Sequence, residues 1–141
     1  MDIDYKEIAS YVIILVIVLI AAQHLNVVVS GSMEPAFYRG DIVVVQKADF
    51  IGINEFDPED VQIGDVVVYD AQWFDQPVIH RIIDIKDVNG TKMFKIKGDN
   101  NNASDPYYVT PSQIKEKVVT WGDNLVVIPK VGYLSLWLRG L

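Results

Sequence analysis

The residues of this sequence that can do nucleophilic or acid–base chemistry are few. Cysteine is absent, and histidine occurs only at His24 and His80. The lack of cysteine excludes disulfides, thiolate metal sites and cysteine nucleophiles, and two histidines are too few for a histidine-rich metal site. A candidate nucleophile is Ser32, in "VVVSGSMEP", between two runs of valine. A serine needs a neighbouring base to take its proton, and that base is usually oriented by a third group.

The possible base and its orienting acid lie far downstream of Ser32. His80 is in "PVIHRII", an otherwise apolar segment, where a histidine is either a core residue or a base facing a cleft. On its own, this pattern favours the core. Asp99 and Asp105 follow in "KGDNNNASD", a segment whose composition is typical of a polar turn. No single one of these features specifies a function.

The charge of the chain argues against nucleic acid as a partner. The 141 residues include 19 acidic and 12 basic side chains, for a net charge of −7, and no basic cluster offsets it. Binding to phosphates needs a concentrated basic face. The length suits one domain of ordinary size.

The first third of the chain is predicted to contain a membrane anchor. No charged residue occurs from Ile8 to Met33. A helix over 8–25 would cover about 27 Å, close to the hydrocarbon thickness of a bilayer. A buried core helix normally has a polar face, and a cleavable signal would have a basic start, whereas this start, "MDIDYKE", is acidic. The few flanking bases, Lys6 and Arg39, leave its orientation undecided.

The rest of the chain is predicted to be mainly β. Short segments rich in valine and isoleucine are bounded by Gly, Pro or Asp: "DIVVVQ", "GDVVVYD", "PVIHRIIDI" and "TKMFKIK". Asn89-Gly90 between two alternating runs predicts a tight hairpin. Residues 48–60 read as a surface loop, Thr110-Pro111 as a turn or helix start, and the C-terminus as an apolar tail. We therefore expect an N-terminal segment with its anchor over 1–26 and a β-rich domain over 27–141.

Taken together, these segments resemble a known family. An N-terminal anchor is followed in order by "SGSMEP", "RGDIVVV", "GDVVVY", "VIHRI", "KGDNNNASD" and "VIPKVGYLS". This order is similar to that of the type I signal peptidases, membrane-bound serine endopeptidases of protein export. Because "VIHRI" has a histidine where the bacterial form has its lysine base, the resemblance is to the archaeal and endoplasmic reticulum form. It implies a partly barrel-like, antiparallel β peptidase domain.

The resemblance also implies roles for particular residues. Ser32 corresponds to the nucleophile and His80 to the general base. Asp105 is our first choice for the acid that orients His80. Asp99 is the second choice, or a support of the hydrogen-bond network. If His80 must be neutral to accept the Ser32 proton, activity should fall as the pH is lowered.

Substrate contacts are expected beside the nucleophile. The hydroxyl of Ser30 and the backbone N–H of Ser32 are candidate donors to the developing oxyanion, as in the bacterial "SGS" box. An extended substrate could add beside the valine strand through backbone hydrogen bonds. These valines and the methionine after Ser32 fit a plain core equally well. The candidate substrate-binding residues are Val27, Val28, Val29 and Met33.

The family implies a setting as well as a reaction. Its substrates are the signal peptides of secretory pre-proteins, which end in small residues of the A-x-A kind. Membrane lipid is a second expected partner and the protein-export translocon a third; no cofactor or metal is expected. The chain is predicted to be a single-pass membrane protein whose catalytic domain lies on the extracytoplasmic or lumenal side.

Two alternatives stay open from the sequence. Self-cleaving repressor proteases of the same wider fold use serine and lysine, which would make Lys95 or Lys97 the base, but a DNA-binding domain should then precede the serine. A membrane-anchored β module could instead bind exported polypeptides without cleaving them, with Ser32 as a turn residue.

Overall fold

The chain is a curled antiparallel sheet with an apolar helix before it and a short helix after it. The structure, a computed structural model, describes residues 2–140, so Met1 and Leu141, the outer ends of the two predicted segments, lie outside the described residues. The elements are α1 (Tyr5–Gln23), β1 (Leu25–Val27), β2 (Ile42–Lys47), β3 (Val66–Tyr69), β4 (Val78–Val88), β5 (Thr91–Lys97), β6 (Ile114–Val118), β7 (Thr120–Trp121), β8 (Asn124–Leu125), β9 (Val127–Ile128) and α2 (Gly132–Leu138), with 3-10 turns at Pro58–Asp60 and Pro111–Gln113. The predicted mainly β fold class is confirmed.

Helix α1 begins earlier and ends earlier than the predicted 8–25. It begins at Tyr5 because the Asp4 carboxylate accepts hydrogen bonds from the next free backbone N–H groups, those of Lys6 and Glu7. It ends at Gln23 because the chain then turns into β1. None of its 19 residues is buried against the rest of the chain, and by length and composition it can cross a membrane.

The main sheet has the order β1-β2-β6-β3-β4-β5, with every pairing antiparallel. One edge of β2 pairs with β1, and the other pairs with β9 near the start of β2 and with β6 near its end. Strands β4 and β5 form the predicted hairpin, where Asn89 and Gly90 both have positive φ angles of 54° and 83°. The outer edge of β1, which follows α1 directly, has no strand beside it among the described residues.

Two apolar clusters make up the core, one on each side of the middle of the sheet. The first contains Val67, Tyr69, Val78 and Ile82 with residues of β5 and β6, and the second contains residues of β2, β3 and β6 with the segment before β2. Strand β4 borders both, because its alternate side chains face opposite ways and Ile79 packs against the second cluster. Strand β4 is therefore an element that the two clusters share.

The predicted apolar tail contains a short helix, α2. It docks closely on the sheet, because a Cβ at Gly132 would lie 2.6 Å from the Gly40 carbonyl oxygen and 2.9 Å from a methyl group of Val27. Leu136 is buried, whereas Trp137 and most other apolar side chains of the helix are exposed. The tail thus packs on the domain through one narrow face only.

A charged pair joins the end of α1 to the β domain. His24 Nδ1–H donates to the Ile20 carbonyl oxygen at 2.8 Å, and Nε2–H donates to the Glu55 carboxylate at 2.8 Å. Glu55 also accepts from the Lys47 N–H at 2.7 Å. Because both ring nitrogens face acceptors, these bonds raise the pKa of His24. The bond from the Lys47 N–H, with the bond from His24, lowers the pKa of Glu55.

We predict that Glu55→Gln lowers the free energy of unfolding in detergent, by about 1 kcal/mol or less because the pair is partly exposed. Because the pKa of His24 is raised, the pair stabilises the fold fully below pH 6.5, the ordinary pKa of histidine. Because the pKa of Glu55 is lowered, the pair stabilises the fold fully above pH 4.5, the ordinary pKa of glutamate. The difference from wild type should therefore be largest between these values and shrink as the pH rises through the raised pKa of His24. Thermal unfolding across this range measures it. Glu59→Gln, an exposed carboxylate in the same loop, is the control and should show no such pH dependence.

Candidate active site

Ser32 lies in a loop that is held from two directions. On one side, the neighbouring Met33 is 1% exposed and packs into the second apolar cluster. On the other, the segment after β5 reaches across: Asn100 N–H donates to the Ser32 carbonyl oxygen at 2.8 Å, and its side-chain amide donates to the Gly31 carbonyl oxygen at 3.0 Å. These contacts fix the backbone of Ser32, and its side chain lines a cleft.

His80 is positioned by the alternation of β4. Val78 and Ile82, two residues to either side, are both buried in the first apolar cluster, so the imidazole lies on that same face. In the register of the sheet His80 is opposite Val67 of β3. The residue itself is only 5% exposed. The core environment suggested by the sequence is therefore present, and so is a set of polar partners.

The structure brings three of the predicted residues into one line. Ser32 Oγ lies 3.0 Å from His80 Nε2, and His80 Nδ1 lies 2.8 Å and 2.9 Å from the two carboxylate oxygens of Asp105. An ionised carboxylate only accepts hydrogen bonds, so Nδ1 carries the imidazole proton. That leaves the lone pair of Nε2 to accept the Ser32 hydroxyl. The arrangement is the one in which an imidazole can take a serine proton.

The second carboxylate, Asp99, binds a different partner. Arg81 Nε donates to Asp99 Oδ1 at 2.9 Å and its terminal nitrogen donates to Oδ2 at 2.8 Å, a bidentate pair. The bond to Asp99 raises the pKa of Arg81. A third donor of Arg81 binds the Gly64 carbonyl oxygen at 2.8 Å. Asp99 thus ties the loop after β5 to β4, one residue from His80, and does not bond to the imidazole.

Ser30 is placed beside the nucleophile. The two hydroxyl oxygens of Ser30 and Ser32 are 3.1 Å apart, and the Ser32 N–H points at Ser30 Oγ from 3.5 Å. Since the Ser32 hydroxyl donates to His80, Ser30 is the donor between the two hydroxyls. The Ser30 O–H therefore points at the Ser32 oxygen, and the Ser32 N–H points at the Ser30 oxygen.

A cleft of about 610 Å³ opens at this point. Of the predicted substrate-binding residues, Val27 and Val29 line it, whereas Val28 and Met33 are buried in the second apolar cluster at 3% and 1% exposure. Val28 points away from the cleft because alternate residues of an extended segment face opposite sides, whereas Met33 lies in the turn that contains Ser32. They support the loop from beneath.

The sequence analysis missed several residues of the cleft. Its lining includes Trp73, Phe74, Gln76 and Pro77 from the loop between β3 and β4, together with Asn101 and Arg139. For Trp73 and Phe74 the sequence contained a signal, because two adjacent aromatic residues lie in a polar loop. Both side chains are exposed in the structure. Within residues 2–140, no group of three or more His, Asp or Glu side chains could hold a metal ion.

Gly98 is where the site leaves no space for a side chain. A Cβ there would lie 2.7 Å from the Ser32 carbonyl oxygen and 2.9 Å from His80 Nε2. Backbone oxygen cannot move aside as a flexible side chain can, so any larger residue must displace either the Ser32 loop or the imidazole. Glycine is what allows the loop after β5 to close over the pair.

We predict that Gly98→Ala lowers any hydrolysis that depends on Ser32 and His80 by about 10²-fold or more, because a displacement of about 1 Å between reacting groups has that effect. The measurement is hydrolysis by the purified protein, with circular dichroism and thermal unfolding to show that the variant folds. Asn102→Ala, an exposed position in the same loop, is the control and should retain wild-type hydrolysis. A folded Gly98→Ala variant with full hydrolysis would contradict the crowding described above.

The comparison with known protein families agrees with the predicted resemblance. A family model described as "Signal peptidase, peptidase S26" matches residues 4–111 of the chain. This range includes α1 and the positions of Ser32, His80, Asp99 and Asp105.

Similar proteins occur in archaea and eukaryotes. An uncharacterized protein of Methanocaldococcus jannaschii is 34% identical, over 89% of this chain and 88% of that protein. The signal peptidase complex catalytic subunit SEC11 of Lachancea thermotolerans is 34% identical over 79% of this chain, and that of Plasmodium falciparum is 35% identical over 80%. The chain spans 64% and 57% of the lengths of these two SEC11 proteins. By its match over most of its length, this chain belongs to the signal peptidase family, peptidase S26.

Proposed function

We propose that this chain is a membrane-anchored serine endopeptidase that cleaves signal peptides from exported pre-proteins, with Ser32 as nucleophile, His80 as general base and Asp105 as the orienting acid. The observation that carries the proposal is the continuous line of hydrogen bonds from Ser32 Oγ to His80 and from His80 to Asp105, at 3.0 Å and 2.8 Å. Membership of the signal peptidase family supplies the substrate class. The SEC11 relatives carry the name of a catalytic subunit.

The reaction follows from these contacts. His80 Nε2 accepts the Ser32 proton while Oγ attacks the scissile carbonyl carbon, and the carbonyl oxygen becomes an oxyanion beside the Ser32 N–H and the Ser30 O–H. Asp105 stabilises the imidazolium that forms. His80 then gives the proton to the leaving amine, and the bond breaks to leave an ester on Ser32. A water molecule, activated by His80 in the same way, hydrolyses the ester.

The outer edge of β1 supports binding of an extended substrate. The N–H and C=O of Val28 bond inward, to the Asp41 carbonyl oxygen and the Gly40 N–H, each at 2.9 Å. In an extended segment the backbone groups of the next residue, Val29, point the opposite way, towards the cleft. A signal peptide in extended form can pair with that edge and direct alternate side chains into the cleft. The adjoining Val27 and Val29 side chains favour small apolar residues there.

The chain is proposed to consist of an anchor segment over 1–26 and a catalytic domain over 27–141, with the domain on the extracytoplasmic or lumenal side. The apolar, unburied α1 supports this arrangement, since such a helix is stable in a bilayer. Membrane lipid is then a direct partner. The SEC11 relatives are named as subunits of a signal peptidase complex, and we propose that partner subunits or the translocon deliver the substrate to this chain as well.

The proposed mechanism predicts which variants lose cleavage. With purified protein in detergent and a pre-protein as substrate, Ser32→Ala and His80→Ala should lower the rate by at least about 10⁴-fold, since each removes a reacting group. Lys97→Ala should cleave like wild type, because the Lys97 ammonium donates to the Gly98 carbonyl oxygen. Cleavage by Ser32→Ala at the wild-type rate would end the peptidase proposal in favour of a binding module. Loss in Lys97→Ala with retention in His80→Ala would make lysine the base.

The same assay ranks the two carboxylates. Asp105→Asn should cost about 10³- to 10⁴-fold, because the amide no longer holds the imidazole in the required tautomer. Asp99→Asn should cost much less, since it weakens only the pair with Arg81. The reverse order would assign the orienting role to Asp99.

Anchoring and sidedness are tested separately from catalysis. With a C-terminal epitope tag, the protein should stay in the membrane pellet after alkaline carbonate extraction, because α1 is held by apolar burial rather than by charge. Added protease should remove the tag in right-side-out vesicles and leave it intact in inverted ones. Release by carbonate would contradict the anchor, and protection in right-side-out vesicles would reverse the proposed orientation.

A further inference from the structure

The carboxylate of Asp105 has a second partner besides His80. The hydroxyl of Tyr69 donates to Asp105 Oδ2 at 2.6 Å, the same oxygen that lies 2.8 Å from His80 Nδ1. Tyr69 is 1% exposed, and the Asp105 side chain is 3% exposed. The Asp105 carboxylate is therefore shared, largely shielded from solvent, between the imidazole and a phenol.

The sheet determines this meeting. His80 of β4 is opposite Val67 of β3, so Tyr69 lies at the diagonal position on the same face of the sheet. A break in the register between β3 and β6 falls between Val68 and Tyr69, where such irregularities re-aim a side chain. The Tyr69 ring is fixed by its place in the first apolar cluster. The hydroxyl is thus presented to Asp105 by rigid elements.

The direction of the hydrogen bond is also determined. Burial, with the bond to the Asp105 carboxylate, raises the pKa of Tyr69 well above its ordinary value of 10.0, so the phenol keeps its proton and stays the donor. Trp73 Nε1–H in turn donates to the Tyr69 oxygen at 3.3 Å. Two consecutive hydrogen bonds therefore run from the partly exposed Trp73 in the cleft, through Tyr69, to the Asp105 carboxylate.

Among the described residues, the other charged groups near the site, including Arg139 of the cleft, make no hydrogen bond or ion pair with Asp105. Arg81 and Asp99 bond to each other, and Lys97 bonds to the Gly98 carbonyl oxygen. The Glu34 carboxylate lies beside Gly31. The hydrogen bonds to the Asp105 carboxylate come from His80 and Tyr69.

We propose that Tyr69 is a positioning residue of the catalytic site, acting through Asp105: its hydroxyl holds the carboxylate in the plane of His80 and takes up part of its negative charge. The proposal rests on the proposed serine peptidase function. A carboxylate that shares its charge with a phenol attracts the imidazolium less than a free one does. Tyr69 thus keeps Asp105 oriented towards His80.

The test is Tyr69→Phe, which keeps the ring and removes only the hydroxyl. We expect kcat to fall about 10- to 100-fold, as for loss of a hydrogen bond to a charged group, with KM changed by less than about twofold. The acid side of the pH–rate profile should also move to higher pH. Tyr107→Phe, the same change at a residue 56% exposed and two positions from Asp105, is the matched control and should leave both unchanged.

A readout that does not depend on cleavage separates this proposal from the proposed function. In a Ser32→Ala background, the proton resonances of the two histidines can be followed against pH, since the chain has only His24 and His80. With Tyr69→Phe the midpoint of the His80 titration should shift to higher pH, and the midpoint of the His24 titration should stay unchanged. This result stands whether or not the wild type cleaves pre-proteins.

Several outcomes would overturn the role of Tyr69. One is wild-type kcat together with an unchanged pH profile in Tyr69→Phe. Another is a fall in kcat accompanied by a lower unfolding temperature but by no shift in either the pH profile or the His80 resonance, which would make the hydroxyl merely structural. Failure of the proposed function would look different: wild type and Ser32→Ala would then be equally active or equally inactive.

Discussion

The burial of the Asp105 carboxylate is the constraint on which the site depends. A buried carboxylate is costly unless it is paired and hydrogen-bonded. At 3% side-chain exposure, Asp105 has three close contacts, two with His80 Nδ1 and one with the Tyr69 hydroxyl, which meet this demand. Removing either partner leaves the buried carboxylate with fewer hydrogen bonds. The same pairing that makes the carboxylate tolerable also orients the imidazole towards Ser32.

The rest of the fold holds Asp105, His80 and Ser32 in place. Strand β4 borders both apolar clusters, so the imidazole is held from the first cluster while the Ser32 loop is held, through Met33, from the second. The loop after β5 closes the gap: Asn100 bonds the Ser32 loop, and the backbone N–H of Asp105 donates to the Ile96 carbonyl oxygen at 2.8 Å. Small shifts between the clusters would therefore change the distance between Ser32 Oγ and His80 Nε2 directly.

The sequence predicted what local pattern can reveal. The strands, the Asn89-Gly90 hairpin and the apolar helix follow from periodicity and turn chemistry, and motif order indicated Ser32 and His80. The choice between Asp99 and Asp105 stayed open because both lie in one polar segment. It depends on the alternation of β4, which turns His80 and its neighbour Arg81 to opposite faces. The role of Tyr69 was hidden for a similar reason, since a tyrosine ending a run of valines is typical of a core strand.

The pairing of His24 with Glu55 could not be predicted either, since the two residues are 31 positions apart, and it bears on how the enzyme would select its substrate. Ser32 follows the end of α1 by nine positions, a span of about 30 Å at most if fully extended. The connecting segment is held in place, because β1 pairs with β2, Val28 bonds to Asp41, and His24 binds the β domain. On the proposed anchoring, Ser32 is therefore held at a fixed height above the bilayer. A peptide bond elsewhere in an exported protein can also have small flanking residues. It would still not be cleaved if, in extended form, it cannot reach the height of Ser32 above the bilayer. Position relative to the membrane would then contribute to selectivity alongside the shape of the cleft.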